Sequence, residues 1–105
     1  MVQLVNKIKL INVMDKIVIE TLRDYIDHLI KEDREDKVAI PTYSIFITWK
    51  CKTLQNYKYL LCTDLPDNKY YELTYNGDKR ELYIDEYDKV NNVAIDMNHI
   101  FANNA

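Results

Sequence analysis

The stretch 42–85 constrains the fold more than any other part of this sequence. Apolar and polar residues alternate along it in four short runs, as in strands with one buried face. Turn signals separate the runs, and they are Gln55-Asn56, Leu65-Pro66-Asp67-Asn68 and Asn76-Gly77. Because strands joined by short turns pair in antiparallel order, we predict a four-stranded antiparallel meander.

The register of each hairpin decides which side chains face the core. A two-residue turn at Gln55-Asn56 pairs Trp49 with Cys62, which predicts that Ile47, Trp49, Leu60 and both cysteines lie under a helix. In the last hairpin, a four-residue loop 76–79 pairs Leu73 with Leu82 and gathers the apolar residues on one face. The residues that these registers place on the outer face are Phe46, Lys50, Lys52, Tyr59, Tyr70 and Tyr83.

Helical periodicity flanks the predicted sheet on both sides. Apolar residues recur at helical spacing from Met14, and the pattern fades in the charged stretch before Pro41, which predicts a helix over about 14–36. Residues 1–12 fit a strand or a helix equally well. A second helix is predicted over about 86–101, although its asparagines and β-branched residues have low helix propensity. The whole is an α+β fold in a single domain, 1–105, with the N-terminal helix packed on one face of the sheet.

Composition argues against an enzyme, a metal site and a membrane protein. The net charge of only −3 gives no reason to expect strong non-specific binding to nucleic acid. Two cysteines without further ligands do not make a zinc site. Asp24 and His28 on one helix supply two ligands where a catalytic metal needs about three. The single glycine leaves no phosphate loop. No run approaches the roughly 20 apolar residues of a membrane span, and no signal peptide is visible. We predict a cytoplasmic protein with no cofactor, no metal and no catalytic residues.

The nine tyrosines are the most informative feature for function. Tyr59, Tyr70 and Tyr83, beside Phe46 on the predicted outer face, suit a protein interface, since tyrosine is a common interface anchor. With two lysines on the same face they could instead stack single-stranded nucleic acid, but Glu72 and Glu81 would repel phosphate. The tyrosines are equally compatible with ordinary cross-strand packing.

A run of acidic residues at the end of the first helix offers a second candidate surface. It could imitate a phosphate backbone and bind the basic groove of a nucleic-acid-binding protein, or it could be a solvated helix end. Its members are Asp24, Asp27, Glu32, Asp33, Glu35 and Asp36.

Three segments carry a resemblance to a known family. They are Trp49-Lys50-Cys51-Lys52-Thr53-Leu54-Gln55-Asn56, Tyr70-Tyr71-Glu72-Leu73-Thr74-Tyr75-Asn76-Gly77-Asp78-Lys79 and Leu82-Tyr83-Ile84-Asp85. Over about residues 42–90 the chain resembles small uncharacterised proteins of phages and prophages of low-GC Gram-positive bacteria. The resemblance implies a phage accessory protein inside the host cell, and small proteins of that kind often block a host enzyme or defence system.

These observations predict a non-enzymatic protein that binds and inhibits a host macromolecule by protein–protein interaction. The predicted partner is a host protein, for which a nucleic-acid-binding protein is one candidate class. The alternatives are a single-stranded nucleic-acid-binding module and a self-associating structural protein, for example a homodimer.

Overall fold

The computed structural model describes the backbone of residues 2–33 and 40–103, and the side chains of residues 13–32 and 40–102. Its elements are α1 (Val2–Asp33), β1 (Ile45–Thr53), β2 (Asn56–Thr63), β3 (Lys69–Asn76), β4 (Glu81–Asp88) and α2 (Asn98–Asn103). The strands form one antiparallel sheet in the order β1-β2-β3-β4, and α1 packs on one face of it. The predicted α+β meander with a helix at each end of the chain is confirmed.

Helix α1 is a single uninterrupted helix, so the ambiguous segment 1–12 is helical from Val2 onward. Its buried residues recur at every fourth position, so they lie on one face of the helix. They are Met14, Val18, Leu22 and Ile26. The described helix runs to Asp33, and the last predicted residues, 34–36, lie outside the described part of the chain.

The predicted register of β1 with β2 is wrong, because the turn lies one residue earlier in the chain than predicted. The turn lies at Leu54 and Gln55, with Leu54 in the left-handed region (φ 55°), so Trp49 pairs with Leu60 rather than with Cys62. Asn56 is not part of the turn, because it begins β2 and its side-chain oxygen accepts a hydrogen bond from the backbone N–H of Gly77 (2.9 Å). That bond ties the first hairpin to the last one.

A β-bulge at Thr48 reverses the facing of the rest of β1. Ile47 pairs with Leu61 and Trp49 pairs with Leu60, so Thr48 is the extra residue. Ile47 therefore packs toward α1, whereas Trp49 and Cys51 point to the opposite face. The prediction that Trp49, Leu60 and both cysteines lie under the helix is wrong. The bulge turns Trp49 and Cys51 outward. On β2 it is Tyr59 and Leu61 that are buried under α1, so the alternate residues Leu60 and Cys62 lie on the opposite face.

The last hairpin has the predicted loop length at a shifted position. The loop is 77–80, so Leu73 pairs with Ile84 rather than with Leu82. Asn76 ends β3 and its side-chain oxygen accepts hydrogen bonds from the backbone N–H groups of Asp78 (3.1 Å) and Lys79 (3.2 Å), which stabilises the loop. The partner of Leu73 is displaced by two residues along β4, and residues two apart share a face, so the predicted apolar face is unchanged.

The predicted C-terminal helix is largely absent from the described residues. β4 continues to Asp88, residues 89–97 have no regular secondary structure, and only Asn98–Asn103 is helical. Val90 and Val93, separated by two asparagines, have low helix propensity, and no packing on the core compensates for it. We call residues 89–102 the C-terminal arm.

The core lies between α1 and the sheet and is rich in tyrosine. Tyr71 is buried, and it meets Tyr25 of α1 edge to face with ring centroids 6.4 Å apart. The buried residues are Met14, Val18, Leu22, Ile26, Tyr43, Tyr57, Tyr59, Leu61, Tyr71 and Leu73.

Candidate protein-interaction face

The sheet face opposite α1 carries exposed aromatic side chains in one row. Phe46, Cys62, Tyr70 and Tyr87 are direct cross-strand partners on β1, β2, β3 and β4. Phe46 is 50% exposed, and Tyr70 and Tyr87 are also exposed. We call these four residues the aromatic row and the whole of this sheet surface the outer face. The meander places them side by side because each strand is joined to its neighbour by a short turn.

The next row adds a large aromatic residue and the charges of the outer face. Trp49, Leu60, Glu72 and Asp85 are cross-strand partners, and Trp49 is 48% exposed beside Phe46 on the same strand. With the aromatic row, Trp49 and Leu60 form an apolar patch on the half of the face where β1 begins and β4 ends. Exposed apolar patches on a soluble domain commonly mark interaction sites.

The aromatic row is held rigidly. The rings of Tyr70 and Tyr87 stack with centroids 4.9 Å apart and planes 12° apart, an arrangement worth about 0.5–1.5 kcal/mol beyond area burial. The Tyr87 hydroxyl donates a hydrogen bond to Glu72 (3.2 Å), and Glu72 forms an ion pair with Lys58 (2.7 Å). A rigid aromatic surface loses little conformational entropy when a partner covers it.

The charges of the outer face are mainly negative. The hydrogen bond and charge of Glu72 raise the pKa of Lys58, and the hydrogen bond from Lys58 lowers the pKa of Glu72. This pair is therefore internally neutralised, while Asp85 and Glu81 on β4 add negative charge. The hydrogen bond that Tyr83 donates to Glu81 raises the pKa of the Tyr83 phenol. Such a face offers little attraction to phosphate groups.

Of the predicted interface residues, three lie on the outer face and three do not. Phe46, Tyr70 and Tyr83 are exposed there. Tyr59, Lys50 and Lys52 are on the α1 side of the sheet, because the actual register and the bulge move them there. The outer-face placement of these three residues is therefore wrong.

Tyr59 and Lys50 are part of the contact between α1 and the sheet. Tyr59 is 1% exposed, and its hydroxyl donates a hydrogen bond to Asp15 (2.8 Å). Lys50 pairs with the other oxygen of Asp15 (2.7 Å). Burial, with the hydrogen bond to Asp15, raises the pKa of Tyr59 well above its ordinary value. Lys52 lies over the ring of Tyr57, 5.8 Å from its centroid.

Trp49 and Tyr87 lie on the outer face, where neither was predicted. The bulge reverses the facing of Trp49, and Tyr87 falls in the segment predicted to be helical. The sequence carries one signal for Tyr87, because Tyr83 and Tyr87 are four residues apart and so share a face if β4 is extended to include both.

The predicted acidic surface is only partly available. Asp24 is exposed, and Glu32 pairs with His28 (3.0 Å). Asp27 accepts a hydrogen bond from the hydroxyl of Tyr43 (2.6 Å), which anchors the segment before β1 to the helix.

The other three predicted acidic residues fall at the end of the described helix or outside the described residues. Asp33 is the last residue of α1, and Glu35 and Asp36 lie outside the described residues. The Asp27 contact gives this region a structural role.

Other kinds of site find little support in the described ranges. Cys51 is exposed and Cys62 half-buried, both on the outer face, so the expected burial of both cysteines is wrong. The side chains described here contain no group of three or more His, Cys, Asp or Glu that could hold a metal ion. Within the same ranges, neither helix combines the length and apolar character needed to span a bilayer.

Comparison with known proteins gives one match. The model of a family described as "Family of unknown function (DUF6275)" matches residues 15–97, which include the core of α1, the whole sheet and most of the C-terminal arm. No match was found among curated proteins or among solved structures.

Proposed function

We propose, from the premise that the chain belongs to the DUF6275 family, that it is a non-enzymatic interaction protein which binds another protein through its outer face. The observation that carries the proposal is the aromatic row, a set of exposed rings fixed on a rigid sheet. The centres of protein interfaces are enriched in tyrosine, tryptophan and phenylalanine and depleted of charge. The patch of Phe46, Trp49, Tyr70 and Tyr87 has this composition.

The charges of the outer face favour a protein partner over single-stranded nucleic acid. Modules that stack bases on aromatic side chains also carry a positively charged groove for the backbone. Lys50 and Lys52, the two lysines expected to supply that charge, lie on the α1 side of the sheet. On the outer face Lys58 is paired with Glu72, and Glu81 and Asp85 would repel a phosphate backbone.

The resemblance of the strand motifs to phage and prophage proteins supports a more specific form of the proposal. The protein then acts in the cytoplasm of a low-GC Gram-positive host, where it binds and inhibits a host enzyme or a component of a defence system. Inhibition by a small rigid domain requires only that the covered surface of the target be needed for its activity.

The test is an affinity capture from a Gram-positive host lysate, divided into nuclease-treated and untreated halves. The matched variants are Trp49→Ala with Tyr70→Ala on the outer face, and Ile17→Ala on the exposed side of α1 as a control. We expect one host protein to be captured by the wild type and by the control after nuclease treatment, and to be lost with the outer-face variant.

Titration of the purified partner then decides between a direct and an indirect contact. Truncating two interface aromatics costs roughly 2–4 kcal/mol, which weakens binding by about 30- to 1,000-fold. A partner that binds the outer-face variant as tightly as the wild type would contradict the proposal. Capture that disappears with nuclease treatment would favour the nucleic-acid alternative.

A further inference from the structure

The C-terminal arm exposes a second apolar surface on the same chain. Val90 is 95% exposed, and Val93, Ile95, Met97 and Phe101 are exposed as well. Among the described residues, the arm contributes none of the buried core. A segment this apolar gains free energy when it is covered, because its side chains leave water.

The arm begins where β4 reaches the end of its own sheet. The backbone N–H of Lys89 donates a hydrogen bond to the carbonyl of Asn68 (2.9 Å), which continues the line of β4 beyond its last residue. Tyr87, the residue of β4 in the aromatic row, lies only two residues before Lys89, so the arm would have to turn back at once to cover its own row. The exposed side chains of Val90 and Val93 do not make that contact.

The sequence of the arm suits an extended segment lying on an apolar surface. Val93, Ile95 and Met97 alternate with Ala94 and Asp96, so an extended backbone presents the three larger side chains on one side. Nine extended residues, 89–97, reach about 30 Å, whereas the four strands of the sheet are only about 15 Å across. The arm is long enough to cross a whole outer face.

The arm and the aromatic row also match in charge. Between Val90 and Ile95 the arm carries no ionisable side chain, and the four residues of the row carry no charged group at neutral pH. The carboxylates of the outer face lie in the neighbouring rows. Contact between residues 90–95 of the arm and the aromatic row therefore buries no charged side chain.

We propose that two copies of the chain exchange C-terminal arms, so that the arm of each copy lies across the aromatic row and Trp49 of the other. The arrangement is a closed two-fold dimer, in which the same pair of surfaces is used twice. It goes beyond the proposed function, because it requires no host protein. Since both proposals use the same outer face, a host protein that binds there must displace the arm of the other copy.

The area available in this dimer is that of a stable interface. An aromatic side chain can bury about 150–250 Å². Each of the four half-exposed aromatic side chains on an outer face therefore has on the order of 100 Å² still accessible to a partner. Two faces, with the matching surface of two arms, bury on the order of 1,600 Å², the standard size of a specific interface.

The test is the mass of the purified full-length chain in solution, by sedimentation equilibrium over a range of concentrations. We expect twice the 12.6 kDa of one chain. The arm variant is Val93→Asp with Ile95→Asp, and the face variant is Phe46→Glu with Tyr70→Glu. Each is expected to raise the dissociation constant at least 100-fold. The control, Ile17→Glu, adds a charge at an exposed position on α1 and is expected to remain dimeric.

Mixing the two variants distinguishes arm exchange from other dimers. The arm variant keeps an intact face and the face variant keeps an intact arm, so an equimolar mixture can form one arm-to-face contact. We expect a heterodimer in the mixture, detected with one variant fluorescently labelled, and none with either variant alone. Far-UV circular dichroism confirms that each variant is folded.

Several outcomes would overturn the proposal. A wild-type chain that stays monomeric up to the millimolar range means that the arm folds back on its own chain or stays in water. An arm variant that still dimerises means that two outer faces pack directly on each other. Two monomeric variants whose mixture gives no heterodimer mean that arm and face are not each other's partner.

Discussion

Tyr59→Phe removes one hydroxyl group from the contact between α1 and the sheet. The variant tests which face of the sheet carries Tyr59. In the structure the Tyr59 hydroxyl is buried and donates to the carboxylate of Asp15, which also pairs with Lys50. On the outer face, as the sequence alone predicted, the same hydroxyl would be exposed and its loss nearly neutral. The two placements therefore give different stabilities for one variant.

The expected magnitude follows from the kind of bond that is lost. A hydrogen bond to a charged group contributes about 1.5–3 kcal/mol, and we expect Tyr59→Phe to lower the free energy of unfolding by about 2 kcal/mol. For a domain of about 100 residues this corresponds to a fall in Tm of roughly 8–16 °C. Asp15→Asn disturbs the same bond, so the two changes combined should cost less than their sum, with a coupling energy of about 1 kcal/mol.

The assay is urea unfolding followed by far-UV circular dichroism, with Tyr83→Phe as the matched control. Tyr83 also donates its hydroxyl to a carboxylate, that of Glu81, but on the exposed outer face. Because this hydroxyl is in water, its loss should leave the free energy of unfolding essentially unchanged. If Tyr59→Phe costs no more than Tyr83→Phe, the assignment of Tyr59 to the core contact is refuted.

Three further predictions concern the stability of the fold. Gly77→Ala should cost about 1–3 kcal/mol in urea unfolding, because a Cβ at this position would lie 2.2 Å from the backbone oxygen of Gln55 and the two hairpin loops would have to separate; an unchanged midpoint would contradict this. Leu22→Ala should cost about 2–5 kcal/mol, since Leu22 is fully buried between α1 and the sheet, and a loss below 1 kcal/mol would show that the helix packs loosely. Burial raises the pKa of Tyr59 and raises that of Tyr71 to about 12, so the stability that these two phenols contribute is complete below about pH 10 and is lost as the pH rises toward their folded-state pKa values. Tyrosinate absorbance from the two residues should therefore appear together with the loss of circular dichroism. Its appearance while the protein is still fully folded would be inconsistent with their burial.

The sequence predicted the meander because its turn signals are local. Pro66 and Asp67 in one turn, and Asn76-Gly77 in another, act through neighbouring backbone groups, so they divide the chain into strands without knowledge of the rest of the fold. The face of β3 and β4 was also predictable, since apolar alternation is uninterrupted there. The first and last loops were each misplaced by one residue, because Asn56 bonds to the distant Gly77 and Asn76 caps the last loop from the end of β3.

The facing of β1 was not predictable from its alternation. Ile45 to Cys51 alternate without a break in the sequence, and only the pairing with β2 shows that Thr48 is an extra residue. The hydroxyl of Thr48 donates to the carbonyl of Leu60 (3.0 Å), a contact between residues twelve apart. Phe46 and Tyr70 were identified because they lie outside the effect of this bulge, and Trp49 was missed because it lies just after it.

The C-terminal segment was wrong for a different reason. Helical spacing from Tyr87 to Phe101 is present in the sequence, but such spacing produces a helix only when one side can be buried. Tyr87 stacks on Tyr70 in the sheet, and residues beyond it find no core.

The outward position of the chain's one tryptophan gives the protein a built-in optical probe. Trp49 is half exposed in the folded chain, so we expect denaturation to shift its emission wavelength less than it would for a buried indole. Covering the outer face, by contrast, transfers the ring to an apolar environment and should move the emission to shorter wavelength. Intrinsic fluorescence is therefore a poor reporter of unfolding in this protein and a sensitive, label-free reporter of docking.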